Sequence, residues 1–344
     1  MTDFSLLICE WYRRNKRELP WRDTKDPYKI WLSEIILQQT RVDQGKSYYL
    51  KFIKHYPTIK DLAMASEQEV LNDWQGLGYY SRARNLHKAA KIIFQDFNNV
   101  FPADYKSILK LPGIGPYTAA AISSFAYNEA QAVVDGNVFR VLARVFDIDT
   151  DIMSSKGKKD FDELAKELLP SDNPGEHNQA LMEFGALHCT FHQAKCDSCV
   201  LQGKCLAFQH KTVSSRPVKI KKNSSKNRYF NYFHLEKDNM LLLNKRLDKD
   251  IWQHLYEFPM IESEKELNEQ DLSALCEGKF KAQMRQHLRL KKHILSHQNI
   301  HATFILVESE QLDLNDYETY TKVDRSNLSV YPFSRLMEKY LEEN

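Results

Sequence analysis

Glycine and proline are scarce in this chain, with 11 of each among 344 residues. That scarcity excludes collagen-like, mostly disordered and low-complexity classes. Long apolar runs are missing as well. No stretch approaches the ~18 consecutive apolar residues of a membrane span, and the N-terminus MTDFSLLICEWYRR lacks the basic start, apolar middle and small-residue cleavage site of a signal peptide. A cytoplasmic protein that does not engage membranes is expected. What remains is an ordinary globular composition, 42% hydrophobic and 12% aromatic. At the usual ~150 residues per domain, the length allows about two domains with sizeable cores.

Formal net charge is only +2, but it is unevenly spread. Residues 1–210 hold 26 basic and 26 acidic side chains. Residues 211–228 hold seven basic ones (Lys211, Arg216, Lys219, Lys221, Lys222, Lys226, Arg228) and no acid, while 229–344 hold 15 basic against 20 acidic. The basic stretch reads as a linker between a region 1–210 and a region 229–344. Its charge suits a polyanion, although a merely solvated hinge would have the same composition.

Four of the six cysteines fall within 17 residues: Cys189, Cys196, Cys199 and Cys205, spaced C-x6-C-x2-C-x5-C. Disulfides are disfavoured in a cytoplasmic chain, so thiols this dense point to a metal centre. Structural zinc sites usually pair two short hooks, and here only Cys196 and Cys199 form one, which favours iron-sulfur over zinc without excluding zinc. Buried, unliganded cysteines are the bland alternative.

Helical spacing dominates the first region, over 30–40, over 66–78 with Ser66 and Glu69 as a capping box, and over 136–146. Past the basic stretch, residues 229–235, 240–244 and 301–307 have the β-branched and aromatic content of short strands, and a terminal helix is expected near 333–342. The expected fold class is multidomain: an all-α region followed by a smaller α+β domain.

Within ILKLPGIGPYTAAAI (108–122), Leu-Pro-Gly-Ile-Gly interrupts two helix-like runs. Gly113 and Gly115 permit close backbone approach, and free amides at the following helix start can bind a phosphate. A tight corner that binds nothing would look the same. Two carboxylates stand out beside it. Glu34 lies among Ile30, Trp31, Ile35 and Leu37, where desolvation would hold its proton toward neutral pH, unless the helix instead exposes it beside Gln38 and Gln39. Asp135 precedes a helix, where amide dipoles favour the ionised form, and a plain N-cap is its bland role. An acid and an anion held apart in this way suit breaking a glycosidic bond.

The segments SEIILQQT, WQGLGYYSRARNLHKAA, LPGIGPYTAAAI, VDGNVFRVLARV, HNQALMEFGALHCT and the cysteine loop, in this order through most of 8–210, together resemble the MutY adenine DNA glycosylases. That family lies within the helix-hairpin-helix superfamily that includes endonuclease III. The resemblance implies a general acid at Glu34, which protonates adenine N7, and a carboxylate at Asp135 facing the oxocarbenium-like sugar, supported by Asn137 and Tyr117. It implies a structural 4Fe-4S cluster on the four cysteines, with Lys195 and Lys204 near DNA phosphate. It places Arg17, Trp21, Arg22 and Gln179 in an adenine pocket, and Gln39 and Tyr79 in the helix near the lesion, with Thr40 and Leu77 beside them. Superfamily lyases carry a nucleophilic Lys where this chain has Tyr117, which cannot form a Schiff base. A monofunctional enzyme is therefore expected.

Residues 229–344 resemble, more weakly, the Nudix-like domain with which MutY enzymes sense 8-oxoguanine. HILSHQNI matches the family's Phe-Ser-His loop with Leu295 in the first place, making Ser296 and His297 the lesion-contacting pair. The metal-binding Nudix signature is not present, so pyrophosphatase chemistry is not expected. The expected partner is double-stranded DNA with adenine opposite 8-oxoguanine or guanine, bound by a monomer. Two other readings are an endonuclease III-like lyase on oxidised pyrimidines and a non-catalytic DNA-binding iron-sulfur protein.

Overall fold

A computed structural model describes residues 3–220, 225–289, 292–308, 314 and 317–344. The chain divides into two compact units, Met1–Met64 with Asn85–Lys221, and Ala65–Arg84 with Lys222–Asn344.

Helices build the first unit: α1 (Asp3–Asn15), α2 (Pro27–Leu37), α3 (Val42–His55) and α4 (Ile59–Met64). After α5 (Glu67–Asp73) come α6 (Ser81–Asp96), α7 (Tyr105–Leu109), α8 (Pro116–Tyr127), α9 (Gly136–Val145), α10 (Ser155–Leu168), α11 (Pro174–Leu187) and α12 (Leu206–Gln209). Their starts follow local chemistry. Asp26 caps α2 and Pro27 takes its first turn, Pro116 and Pro174 open α8 and α11, and Asp135 caps α9. Helix α2 has no polar face: Ile30 through Ile36 are all buried, and it packs on α3 and α8. Between α7 and α8, Gly113 adopts φ +75°, and a Cβ there would lie 2.6 Å from Cβ of Asn85, so glycine is required twice over.

The second unit is a mixed sheet: β1 (Lys226–Lys237), β2 (Met240–Lys245), β3 (Tyr256–Glu257), β4 (Met260–Ser263), β5 (Gln283–Arg289), β6 (His293–Ile294), β7 (Gln298–Glu308) and β8 (Thr321–Asp324). The main path runs β3-β2-β1-β7-β5, with β1 and β7 parallel in the register Tyr232 to Phe304. Helix α13 (Glu269–Phe280) covers one face over Phe233, Leu235 and Ile305, and α14 (Arg335–Glu343) the other over Phe230, Tyr232 and Phe304. Burial on both faces is why the central strands read as continuous apolar runs.

Several boundaries differ from the sequence expectations. The helix expected over 66–78 ends at Asp73, because Gly76 and Gly78 adopt positive φ, although its Ser66–Glu69 capping box forms. Residues 65–84, expected with the helical region, pack with the C-terminal segment. Gln68 and Asn72 donate to the carbonyls of Val330 and Ser329, and the Tyr80 hydroxyl donates to that of Phe333 at 2.8 Å. The expected linker is partly structured: its last three residues begin β1, Arg228 is gripped by Asp250 (2.8 Å) and Glu262 (2.6 Å), and Arg216 pairs with Asp147 (2.9 Å). Those two charges are spent inside the fold, while Lys221 and Lys222 lie outside the described residues. Among the described residues, no helix is long and apolar enough to cross a membrane.

Candidate active site

A cavity of about 420 Å³ in the first unit gathers ten of the sequence candidates: Arg17, Trp21, Arg22, Glu34, Gln39, Thr40, Tyr117, Asp135, Asn137 and Gln179. They come from α2, α8, α11, α9 with its N-cap, the loop after α1 and the turn after α2. Glu34 sits on the apolar helix α2 and is only 8% exposed, which settles its placement against the solvent-facing alternative. Burial pushes its pKa up to about 7, against a hydrogen bond from Tyr117 that lowers it and with the charge of Asp135 adding to the rise. Burial likewise raises the Tyr117 hydroxyl well above its ordinary value.

Asp135 caps α9 as expected. Its Oδ1 accepts from the amides of Asn137 (2.9 Å) and Val138 (2.8 Å), and its Oδ2 from Asn137 Nδ2 (2.7 Å). The expectation that helix amides would favour its ionised form needs correction in degree. Burial outweighs those hydrogen bonds, and its pKa is raised, so both carboxyls shift the same way. They are separated by support instead, since Asp135 has three donors. Asn137 is held in turn by Arg140 at 2.9 Å.

Glu183 escaped the sequence reading. It lies one helical turn after Gln179 on α11, is 1% exposed, and accepts from the Arg17 amide and guanidinium and from both terminal nitrogens of Arg22 at 2.6–2.9 Å. Burial alone would raise its pKa, but the two arginines bring it down to about 2. The i, i+4 spacing of Gln179 and Glu183 was the available signal.

The other candidates line a second cavity, of about 680 Å³, wholly within the second unit: Leu77, Tyr79, Leu295, Ser296 and His297. Tyr79, at φ +48°, hydrogen-bonds through its hydroxyl to that of Ser296. Arg82, also missed, donates to the carbonyls of Leu77 (3.2 Å) and Gly78 (3.1 Å) and lies over the rings of Trp74 and Tyr79. Leu295 packs against the sheet core, leaving Ser296 and His297 exposed and Ile294 73% exposed. Gly113 and Gly115 belong to neither cavity. Gly115 caps α8 without a side chain, and a Cβ there would meet nothing within 4 Å.

Cys189, Cys196, Cys199 and Cys205 line a third, small cavity with Phe184, Leu201 and Phe208. Arginines of α9 hold the loop: Arg140 donates to the carbonyl of Cys189 (2.8 Å), and Arg144 to Cys189 Sγ (3.3 Å) and the carbonyl of Thr190 (2.7 Å). Burial pushes the Cys199 thiol up to about 11 and raises Cys196 and Cys205. Lys195 is exposed, whereas Lys204 pairs with Asp3 at 2.6 Å.

Residues 32–171 match the HhH-GPD superfamily of base excision DNA repair proteins, and 231–343 match a NUDIX domain. An adenine DNA glycosylase of Buchnera aphidicola subsp. Baizongia pistaciae is 36% identical over 323 residues, covering 92% of this chain and 90% of that protein. The chain belongs to the adenine DNA glycosylases. The enzyme is also 35% identical over 325 residues to the Arabidopsis thaliana adenine DNA glycosylase, covering 83% of this chain and 51% of that one. Against the human adenine DNA glycosylase it is 41% identical over 218 residues, 61% of this chain and 40% of the human one. A thermostable thymine-DNA glycosylase superposes at TM-score 0.56 and 31% identity, covering 60% of this chain and 95% of that structure. An endonuclease III–DNA complex gives TM-score 0.53 at 22% identity, over 60% and 94%, and shows the shared fold. This is an enzyme of base excision repair, with a helix-hairpin-helix region and a Nudix-like one.

Proposed function

We propose that the enzyme hydrolyses the N-glycosidic bond of adenine paired with 8-oxoguanine or guanine in double-stranded DNA, acting as a monofunctional monomer in the cytoplasm. The reading is carried by one observation: Glu34, buried with a pKa of about 7, and Asp135, held by three donors, line the same cavity. A flipped adenine enters that cavity, and flipping is easiest at a mispair. Glu34 delivers its proton to N7, the bond between N9 and C1′ breaks, and Asp135 faces the positive sugar while water adds at C1′. Asn137 holds Asp135, and Tyr117 holds Glu34.

Strand cleavage by a Schiff base needs an amine, and no lysine lines the cavity among the described residues. This favours hydrolysis over the lyase reading. Arg17, Trp21, Arg22 and Gln179 form the wall that receives the base. Gln39 and Tyr79 both adopt positive φ, a strain that functional sites often store, and are read as the side chains that fill the gap in the duplex, beside Thr40 and Leu77. Tyr79, Leu295, Ser296 and His297 read the opposite base, and the amides of the Gly113–Gly115 turn meet phosphate. Cys189, Cys196, Cys199 and Cys205 would hold a 4Fe-4S cluster, which supplies loop structure and no chemistry on the substrate. The donor set fits. Four thiols line one cavity, thiolates are the soft ligands such a cluster takes, and buried thiols with raised pKa need cationic partners to ionise.

The test is a duplex with adenine opposite 8-oxoguanine, scored for alkali-labile sites beside thymine-glycol and undamaged duplexes. Alkali-labile sites on the first alone are expected. Cleavage without alkali would support a lyase, and retention without any cleavage a non-catalytic binding protein.

A further inference from the structure

In the wall of the first cavity, one hydrogen bond is not used by the reaction sequence above. Tyr12 of α1 is buried, and its hydroxyl donates to Oε1 of Gln179 at 2.8 Å. Resting on the adenine reading, we infer that Tyr12 is a positioning residue that sets the purine specificity of the cavity, by holding the amide nitrogen of Gln179 toward the base.

Four other polar side chains of the wall are committed elsewhere. Arg17 and Arg22 are spent on Glu183, Gln38 Nε2 donates to Thr118, and Asn137 Nδ2 donates to Asp135. Gln179 Nε2 has no protein partner among the described residues, so this amide presents an N–H to the cavity. Its orientation is not arbitrary. Were the amide reversed, the Tyr12 oxygen would accept from Nε2, and the phenolic hydrogen would have no acceptor among the described residues. A buried O–H without an acceptor is costly, so the observed orientation is the stable one. The Tyr12 ring is itself fixed, with Arg22 at 5.6 Å and Lys16 at 5.7 Å from its centroid.

A base with N7 at Glu34 and N9 toward Asp135 turns its far edge to the rest of this wall. In adenine, N1 on that edge is an acceptor and pairs with the Gln179 N–H. In guanine or hypoxanthine N1 carries a hydrogen, which sets donor against donor and leaves both unsatisfied.

Single-turnover excision from duplexes that differ only in the target base tests this. Wild type should prefer adenine to hypoxanthine, and should also prefer adenine to 1-deazaadenine, which lacks the N1 acceptor. Tyr12→Phe keeps the ring but frees the amide to turn, so both preferences should shrink about five- to tenfold, the worth of about one neutral hydrogen bond. Gln179→Glu, which has no N–H, should shrink the hypoxanthine preference further. Each ratio is internal to one variant, so a general loss of folding or rate cancels. Unchanged ratios in Tyr12→Phe, or in Gln179→Glu, would overturn the inference while leaving adenine excision intact. Failure of wild type to excise adenine would instead overturn the function it rests on.

Discussion

The cavity around Glu34 and the cavity around Tyr79 are built by opposite means. The first is walled mainly by helices, and its charged groups are buried and already paired: Glu183 by two arginines, Asp135 by helix amides, Glu34 by Tyr117. The second is walled by turns and strand ends, with Tyr79 49% exposed and Ser296 and His297 exposed. Moving a proton at neutral pH requires a dry, fixed site in which a carboxyl can hold its proton. Sensing a base that remains in the duplex requires side chains that reach outward. On the function proposed above, bond breaking belongs to the first cavity and discrimination to the second.

Glu34→Gln breaks that assignment most directly. It keeps the shape of Glu34 and removes the transferable proton. Excision should fall about 10²–10⁴-fold, the usual worth of a general acid, with duplex retention near wild type. In wild type the rate should rise from acid pH as Asp135 ionises and decline above about pH 7 as Glu34 loses its proton. A wild-type rate in the variant would remove Glu34 from its role.

Glu183→Ala should be nearly as severe, but in stability. It leaves two cations facing each other in the wall, and breaking a buried pair of this kind costs about 3–5 kcal/mol. Chemical denaturation measures the loss. A change inside ±0.5 kcal/mol would mean that the pairing does not organise the first cavity.

Glu34→Gln should also stabilise the fold at neutral pH. The folded pKa of about 7 lies above the unfolded value of 4.5, so the folded state holds this proton more tightly. That advantage is full below 4.5 and is lost as pH rises to about 7, leaving a penalty on the order of 3 kcal/mol above it. The gap between variant and wild-type melting temperatures should open across that window and stay level beyond it. A constant gap would show that Glu34 is not desolvated.

The smallest effect belongs to the second cavity. Ser296→Ala with His297→Ala should lower the preference for 8-oxoguanine over guanine opposite adenine several-fold, about 1 kcal/mol, with adenine excision from the preferred duplex largely kept. An unchanged ratio between the two mispairs would detach this loop from discrimination.

Much of the first cavity was legible because its signals are local. The apolar residues around Glu34 made a buried glutamate readable, though not the exclusion of an exposed one, an aspartate before a helix caps it, and glycine at Gly113 marks the turn between α7 and α8. Arg228 and Arg216 misled because composition counts charges and cannot see Asp250, Glu262 or Asp147 across the fold. The 66–78 segment misled because helical spacing continues past Asp73 in the sequence, while the glycines at 76 and 78 turn the backbone. Glu183, Tyr12 and Arg82 went unread because each works through a partner, and a partner is a tertiary fact.

The order of apolar, capping and cysteine residues therefore pointed, unaided, to a helical first region and strands after the basic stretch, offered Glu34 an apolar helix while leaving its burial open, and put four thiols in one loop. Only packing decided that Glu34, Tyr117, Asp135 and Gln179, from four different helices, meet in one cavity, and that 65–84 joins the C-terminal residues. Periodicity records whether a side chain is buried. What it is buried against depends on contacts between segments far apart in the chain, and those exist only once the helices and the sheet have packed.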